Sequence, residues 1–320
     1  MKHFFIINPQ SRNGRSGKKN TDLFSLFQKA GLSFDHAFTD SLDHAYSLSQ
    51  KANKDRYDAV VAVGGDGTIN RVLNGFFDAE GRRISSARMG VIHTGTSPDF
   101  CMSYGIPQSL EGAVRVIASG KTSLVRVGQI ECTPSPAAPE GKPPLPPRFF
   151  GCCANVGLGA AIARTSNGGI RKFAGDRLGT FLSLFKALFL YRPVTLSLII
   201  DGNRRTYTRV YNISVGKTRF IASGIRVQHT LRASDQGLYI VTVRDLSPFN
   251  ILPVLGLLYG DKPIPAGRSY ISLEYGSRIE IFGKTQVETE FDGDPAGYCP
   301  CTVTTAADPL ELIIGKSHAV

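Results

Sequence analysis

A buried strand that ends in a glycine-rich turn constrains this chain more than any other stretch. Residues 58–70 read DAVVAVGGDGTIN, and the apolar run is followed by Gly64, Gly65, Asp66, Gly67 and Thr68. Glycine tolerates positive φ and has no Cβ, so we expect these glycines to let a bulky anion approach the backbone. Thr68 is expected to cap the next helix, whose first N–H groups attract phosphate. The stretch therefore predicts a phosphate-binding turn.

Asp66 narrows the choice of ligand. The turn matches neither GxGxxG nor GxxxxGK[ST], because the Walker lysine is missing and a carboxylate lies inside the turn. A carboxylate repels phosphates unless it holds a metal ion or a hydrogen-bond network, so Asp66 indicates a nucleotide bound with Mg²⁺. Spacing alone leaves open an ordinary strand-to-helix turn with an aspartate near its cap.

Strand and helix patterns alternate over residues 1–125. Strands are predicted at 4–8, 33–39, 59–63 and 89–93. Helices are predicted to begin at Asn20 or Thr21, at Asp40 or Ser41, after Thr68 and after Ser109, the last ending at Gly120. This alternation predicts a doubly wound α/β domain, with a parallel sheet covered by helices on both faces.

Residues 126–320 follow a different pattern. The proline-rich segment 132–148 is expected to be an exposed excursion. Strand-like runs joined by short turns, such as the one at Asp201 and Gly202, follow it, with helical stretches only at 176–191 and 248–258. We predict a larger, β-rich antiparallel sandwich or barrel domain. The last strands, at about 306–316, are candidates for packing back on the first domain.

Composition limits the partners and the compartment. The 320 residues carry a formal net charge of +11, which favours nucleic acid, an anionic membrane surface or a phosphate-bearing small molecule. No tract combines basic and aromatic residues, so nucleic acid is not expected. No stretch could span a bilayer, and we expect a cytoplasmic protein, free or peripheral to the membrane. The six cysteines lack CxxC spacing and predict free, mostly buried thiols.

Several ordered segments resemble one known family. The stretch VVAVGGDGTINRVLNGF resembles the nucleotide-binding signature of the diacylglycerol kinase and sphingosine kinase superfamily, which also includes NAD kinases. IINPQSRNG, HTGTSPDFCMSYGIP and EFDGDP resemble the family's opening NPxSG, its GTGNDFAR segment and its late DGE segment. The resemblance implies an NAD kinase-like domain that binds ATP, a β-rich domain that holds a lipid, and a reaction between them.

The resemblance also assigns nucleotide contacts by position. They are Asn8, Thr39, Gly64, Gly65, Asp66, Gly67, Thr68, Asn70, Gly95 and Thr96. Asp99 matches a family aspartate that acts in the same site. The family's Gly-Asn is Ser97-Pro98 here, and Pro98 removes a backbone donor, so we expect different local hydrogen bonding.

The resemblance assigns the chemistry to Asp292, whose carboxylate would take the proton of a lipid hydroxyl as it attacks the γ-phosphoryl group. The family glutamate that follows is Asp294 here. Taken alone, TQVETEFDGDPAGYC predicts a hairpin with an Asp-Gly turn. Bacterial members bind a structural Mg²⁺ through an aspartate that aligns with Gln236. An amide is a poor ligand for a hard cation, so we do not expect this second metal site, for which Asp235 is the only candidate.

Three functions follow as hypotheses. The first is an ATP- and Mg²⁺-dependent lipid kinase with diacylglycerol as its expected substrate. Such a kinase would contact an anionic membrane surface peripherally. The sequence does not decide between a monomer and a homodimer. The apolar stretch 178–191 would be a core helix, a wall of the lipid pocket or a membrane-facing surface. The second is a catalytically silent nucleotide- or lipid-binding protein, and the third is a kinase of another lipid, such as a sphingoid base or ceramide, or of NAD.

Overall fold

The computed structural model describes residues 1–11, 20–135, 145–167, 190–222 and 225–315. The chain divides into two compact units: unit 1 contains 1–127, 232–234 and 306–320, and unit 2 contains 128–231 and 235–305. The apolar stretch 178–191 falls outside the described residues except at its end, as does the middle of the proline-rich segment.

Unit 1 contains a largely parallel sheet. Its strands, numbered along the chain, are β1 (Lys2–Ile7), β2 (Ser33–Phe38), β3 (Ala59–Gly64), β4 (Arg88–His93), β5 (Thr122–Val125) and β18 (Leu310–Ile313). Their spatial order is β2-β1-β3-β4-β18-β5. All neighbouring pairs are parallel except β18 with β5. A strand from the end of the chain therefore completes the sheet of unit 1.

Helices cover both faces of this sheet. They are α1 (Asn20–Lys29), α2 (Leu42–Lys54), α3 (Asp66–Asn74), α4 (Asp99–Ser103) and α5 (Leu110–Ser119). Phe5 and Val61 pack in one buried cluster with Phe27 of α1 and Ile117 of α5. Because successive strand residues point to opposite faces, α2 and α3 contact the sheet from the other side. The predicted doubly wound α/β domain is confirmed.

The predicted helix ends in unit 1 are correct for α5 and wrong for the start of α3. Ser109 caps α5 by accepting from the N–H of Gly112 at 3.2 Å, and Gly120 ends it with φ of 61°, as predicted. Thr68 does not cap α3, because the helix begins two residues earlier, at Asp66, with Gly65 at the N-cap position. Gly65 has φ of −86°, so this glycine does not use the positive φ that its lack of a Cβ allows.

Unit 2 is antiparallel. Its strands are β6 (Gly128–Thr133), β7 (Arg148–Phe150), β8 (Cys153–Gly157), β9 (Val194–Ile200), β10 (Asn203–Gly216), β11 (Phe220–Ala222), β12 (Ile225–Arg226), β13 (Leu238–Arg244), β14 (Ile271–Gly276), β15 (Ile279–Gly283), β16 (Glu288–Phe291) and β17 (Asp294–Thr305). The sequence of pairings β10-β8-β16-β17-β15-β9 returns to β10, so these strands form a closed ring around an apolar core. The β-rich antiparallel prediction is confirmed, and its barrel form applies to this ring.

A bulge in β10 makes the closure possible. The first half of this 14-residue strand pairs with β9, and the second half pairs with β8 and β13. The register shifts between Tyr207 and Val210, and Arg209 there has φ of 49°. An extra residue in one strand bends it and increases its twist, so β10 can serve both sides of the ring.

Two described helices belong to unit 2. The helix α7 (Pro248–Tyr259) lies where a helix is predicted, whereas α6 (Leu158–Asn167) follows directly on β8 and has no counterpart among the predictions. All six cysteines are free and five are buried, as predicted. Over the described part of the chain, every helix is too short or too polar to cross a bilayer.

Candidate active site

The carboxyl ends of three neighbouring strands bring the predicted nucleotide residues of unit 1 together. Asn8 follows β1 and donates its N–H to the Val63 carbonyl of β3 at 2.8 Å. Thr94 follows β4 and donates its N–H to the Gly64 carbonyl at 2.8 Å. The chain leaves β1 for β2 on one side and reaches β3 on the other, and ligands of open α/β sheets bind at such a switch point.

Side-chain hydrogen bonds connect these strand ends. Asn8 Nδ2 donates to Thr68 Oγ1 at 2.9 Å, which joins the end of β1 to the first turn of α3. Ser11 Oγ and Thr94 Oγ1 lie 2.8 Å apart. Thr39, buried at the end of β2, donates its N–H to the Ile7 carbonyl at 2.9 Å. The loops at this edge are therefore held before any ligand arrives.

Close packing explains why two positions here are glycine. A Cβ on Gly64 would lie 2.5 Å from the Cβ of Thr68. A Cβ on Gly95 would lie 2.6 Å from the Cα of Gly65, so the two loops touch backbone to backbone. At Gly67 the nearest atom to such a Cβ, in Leu42, is 3.7 Å away, an ordinary contact. The fold requires glycine at 64 and 95, but it does not require glycine at 67.

Asp66 stands at the start of α3 beside a buried histidine. Its Oδ1 lies 3.9 Å from Nε2 of His93, whose side chain is only 4% exposed. Burial, and secondarily the negative charge of Asp66, raise the pKa of the Cys101 thiol well above its usual range. His93 therefore belongs to the surroundings of Asp66.

The remaining predicted residues of unit 1 differ in exposure. Thr96 is exposed and Asp99 is buried as the first residue of α4, directly after Pro98. Asn70 is 1% exposed, and its Oδ1 accepts from Asn74 Nδ2 at 3.0 Å. Asn70 thus presents almost no surface to a ligand and bonds within α3.

The start of α3 fits a phosphate, and the carboxylate of Asp66 at that start fits a hard cation. Gly65 at the N-cap places no side chain in front of the first turn. Asp66 and Asp99 are the carboxylates that would hold Mg²⁺. In the described ranges no three His, Cys, Asp or Glu side chains cluster as metal ligands. Mg²⁺ in kinases is usually held by one or two carboxylates together with substrate phosphates, so this sparse set fits.

In unit 2, Asp292 occupies a tight turn between β16 and β17. Asp292 and Gly293 have φ of 46° and 88°, and Phe291 pairs with Asp294 across the turn, which confirms the hairpin. The carboxylate accepts three backbone N–H groups, from Gly151 at 2.7 Å and from the two residues after it at 2.9 and 3.1 Å. These donors stabilise its charged form and fix both oxygens in place.

A buried glutamate that sequence reasoning missed supports the same turn. Glu290 is 4% exposed, accepts from the Gly293 N–H at 2.7 Å and accepts from the Asn155 side-chain amide. Burial raises the pKa of its carboxyl to about 8, and the negative charges of Asp292 and Asp294 contribute to the rise. Glu290 is therefore a neutral acid over much of the pH range in which a free glutamate is charged.

Asn155 links this glutamate to the neighbouring strands. Its Oδ1 accepts from Asn212 Nδ2 at 3.0 Å and from Ser214 Oγ at 2.5 Å. Asn212 Oδ1 in turn accepts from the N–H of Gly159, the second residue of α6. A buried polar network thus joins β8, β10, β16 and α6 beneath the Asp292 turn.

The loop at Asp235 does not fit a metal ion. Lys217 Nζ donates to the main-chain carbonyls of Asp235 and Gly237, the latter at 2.9 Å. Burial, together with the positive charges of Lys217 and Arg219, lowers the pKa of His229 to about 4. Carbonyl oxygens that accept from an ammonium in a positively charged environment are unsuited to Mg²⁺.

Two family models match the chain. The diacylglycerol kinase catalytic domain model matches residues 2–130. The YegS C-terminal NAD kinase beta sandwich-like domain model matches residues 153–314.

Individual relatives agree with these models. The diacylglycerol kinases of Staphylococcus aureus strains bovine RF122 / ET3-1 and MRSA252 are each 32% identical over 125 residues, 39% of this chain and 38% of the relative. The match thus spans about two fifths of the length of these relatives.

Solved structures extend the likeness to the whole fold. A diacylglycerol kinase from Bacillus anthracis str. Sterne superposes with a TM-score of 0.72 at 17% identity, covering 99% of this chain and 97% of that one. A second chain from that organism gives 0.75 at 18% identity, covering 99% and 98%. Both structures share the fold, and both family models match in order. The chain belongs to the diacylglycerol kinase family with a YegS-type C-terminal domain.

Proposed function

We propose that the protein is an ATP-dependent lipid kinase that transfers the γ-phosphoryl group to a lipid hydroxyl, with diacylglycerol as the substrate and phosphatidic acid as the product. Unit 1 would bind the nucleotide and unit 2 the lipid. The fixed carboxylate of Asp292, with its three backbone N–H donors, is the observation that carries the proposal.

Asp292 suits the acceptor side of the reaction. Phosphoryl transfer depends mainly on positioning, and a carboxylate in hydrogen-bond reach of the attacking hydroxyl orients it and takes its proton. Three N–H donors from 151–153 prevent the carboxylate from rotating. Asp201 is held by backbone N–H groups in another hairpin turn, so the anchoring fixes the position of Asp292, and the family resemblance is what assigns its chemical role.

On the nucleotide side, we propose that the triphosphate lies at the start of α3, beside the contacting glycines Gly65 and Gly95. Asp66 and Asp99 would hold Mg²⁺. When bound, Mg²⁺ offsets the charge of the β- and γ-phosphates. Asn8 would keep the first turn of α3 in place through Thr68.

Membrane contact is the second part of the proposal. Phe249 and Leu252 lie three residues apart on α7, so they share one face of the helix, and they are 92% and 71% exposed. The sequence of α7, PFNILPVLGLLY, has no charged residue. An apolar helix face on a protein of net charge +11 suits an anionic bilayer that contains the lipid substrate.

A transfer assay over a panel of acceptors tests the activity. Purified protein is incubated with Mg²⁺, ATP labelled at the γ-phosphate, and diacylglycerol, a sphingoid base, ceramide or NAD. We expect label in phosphatidic acid above all other products. Label in NAD alone would replace the proposal with an NAD kinase, and ATP binding without transfer to any acceptor would leave the catalytically silent alternative.

A further inference from the structure

The loop at residues 235–237 is organised around a buried ammonium group. Lys217 directly follows β10 and is only 3% exposed. Its Nζ donates to the carbonyl oxygens of Asp235 and Gly237. A buried lysine is costly unless its charge is satisfied, and main-chain carbonyls provide the acceptors. The hydrogen bonds from Lys217 therefore hold residues 235 and 237 of this loop in place.

The ammonium of Lys217 provides the positive charge at this loop. The family resemblance implies an aspartate that binds Mg²⁺ here, and this chain has the neutral, exposed Gln236 at that position. The carbonyls of Asp235 and Gly237 accept from Lys217 Nζ instead. We propose that Lys217 is the built-in cation of this loop and makes the fold independent of a structural divalent ion.

The same lysine is connected to the Asp292 turn. The backbone N–H of Lys217 donates to the Cys152 carbonyl at 3.0 Å. The N–H of Cys152 donates to Asp292 Oδ1 at 2.9 Å. A displaced Lys217 would therefore disturb one of the three donors that hold the carboxylate. Loss of the ammonium should lower kcat as well as stability.

Thermal unfolding of nucleotide-free, full-length protein tests the proposal. We expect the Tm of the wild type to agree within about 1 °C in EDTA and in millimolar Mg²⁺. Lys217→Met should lower the Tm by about 5 °C or more in both solutions, because two partly buried carbonyls lose their donor. Adding Gln236→Asp to Lys217→Met should make the Tm rise with Mg²⁺ concentration, because a carboxylate then joins the two carbonyls.

Lys262→Met, at an exposed position, is the matched control and should leave the Tm unchanged. A wild-type Tm that rises with Mg²⁺, a Lys217→Met Tm equal to that of the control, or a double variant indifferent to Mg²⁺ would each overturn the proposal. The wild-type comparison needs no variant, so a rise of its Tm with Mg²⁺ would overturn the proposal even if Lys217→Met does not fold.

Discussion

Glu290 Oε2 accepts a hydrogen bond from the backbone N–H of Gly293 at 2.7 Å, so a buried side chain of β16 closes the turn that presents Asp292. The carboxylate of Asp292 is held from the other side by the N–H groups of residues 151–153. One carboxyl is thus buried to support the turn, while the other is held in place by three backbone N–H donors.

The protonation of Glu290 predicts how stability varies with pH. Its folded pKa, about 8, lies above its unfolded value of 4.5, so the folded state keeps a proton that the unfolded state has lost. This group therefore lowers the free energy of unfolding as pH rises from about 4.5 to about 8, and the effect is constant above that. Glu290→Gln mimics the protonated acid and should remove this dependence.

Urea denaturation at pH 5 and pH 8 measures the effect. From pH 5 to pH 8, the free energy of unfolding of Glu290→Gln should rise relative to that of the wild type by on the order of 3 kcal/mol. Glu111→Gln, at an exposed position of α5, is the control and should follow the wild type at both. Parallel pH curves for wild type and Glu290→Gln would show that Glu290 is ionised throughout.

Asp292→Asn should lower kcat by about 10²-fold or more with little change in nucleotide affinity, because an amide cannot take a proton. Asp201→Asn is a matched control from the same unit. Asp201 also precedes a glycine in a hairpin turn, has φ of 47°, and accepts from the N–H groups of Ser277 and Arg278. Single-turnover transfer should be slow in Asp292→Asn and normal in Asp201→Asn. Calorimetry should show similar ATP binding by both variants. Equal loss of activity in both would reduce Asp292 to a structural role.

Substitutions of glycines near the nucleotide turn should distinguish effects on stability from effects on ATP binding. Gly67→Ala meets no atom within 3.7 Å and adds helix propensity in α3, so its Tm should stay equal or rise. If the triphosphate approaches this backbone, its ATP affinity should fall about tenfold or more. Gly95→Ala, with its contact at 2.6 Å, should lose both stability and ATP affinity. Unchanged ATP binding in Gly67→Ala would place the triphosphate elsewhere.

The exposed pair on α7 should control membrane binding. Replacing both Phe249 and Leu252 by serine should weaken binding to vesicles containing anionic lipid about tenfold or more, because two large apolar side chains no longer enter the bilayer. Transfer to a water-soluble, short-chain diacylglycerol should be unaffected. Leu124→Ser, which alters an exposed leucine of β5, is the control. Sedimentation with vesicles would contradict this role if the pair variant and the control bound alike.

Local patterns predicted much of the fold because short-range rules decide those elements. The cap at Ser109, the end at Gly120 and the turn at Asp201 each depend on one residue and its neighbours. The prediction that Thr68 caps α3 is wrong because the helix already begins at Asp66, with Gly65 at the N-cap position. The start of α6 was hidden because the apolar run of β8 continues into it.

Other site residues needed the tertiary structure. Glu288 and Glu290 alternate in VETEF as the outer face of a strand would, yet β16 lies between β8 and β17 and Glu290 is buried. The burial of Lys217 depends on carbonyls 18 and 20 residues away. A charged residue at the end of an apolar strand is the only sequence signal for that lysine, and it does not identify the partner.

The most direct test of the proposed function is transfer of the γ-phosphoryl group to diacylglycerol. Wild-type protein with Mg²⁺, γ-labelled ATP and diacylglycerol in mixed micelles should produce labelled phosphatidic acid, and Asp292→Asn should not. Absence of labelled phosphatidic acid from wild-type protein that binds ATP would contradict the proposal that this chain is a diacylglycerol kinase.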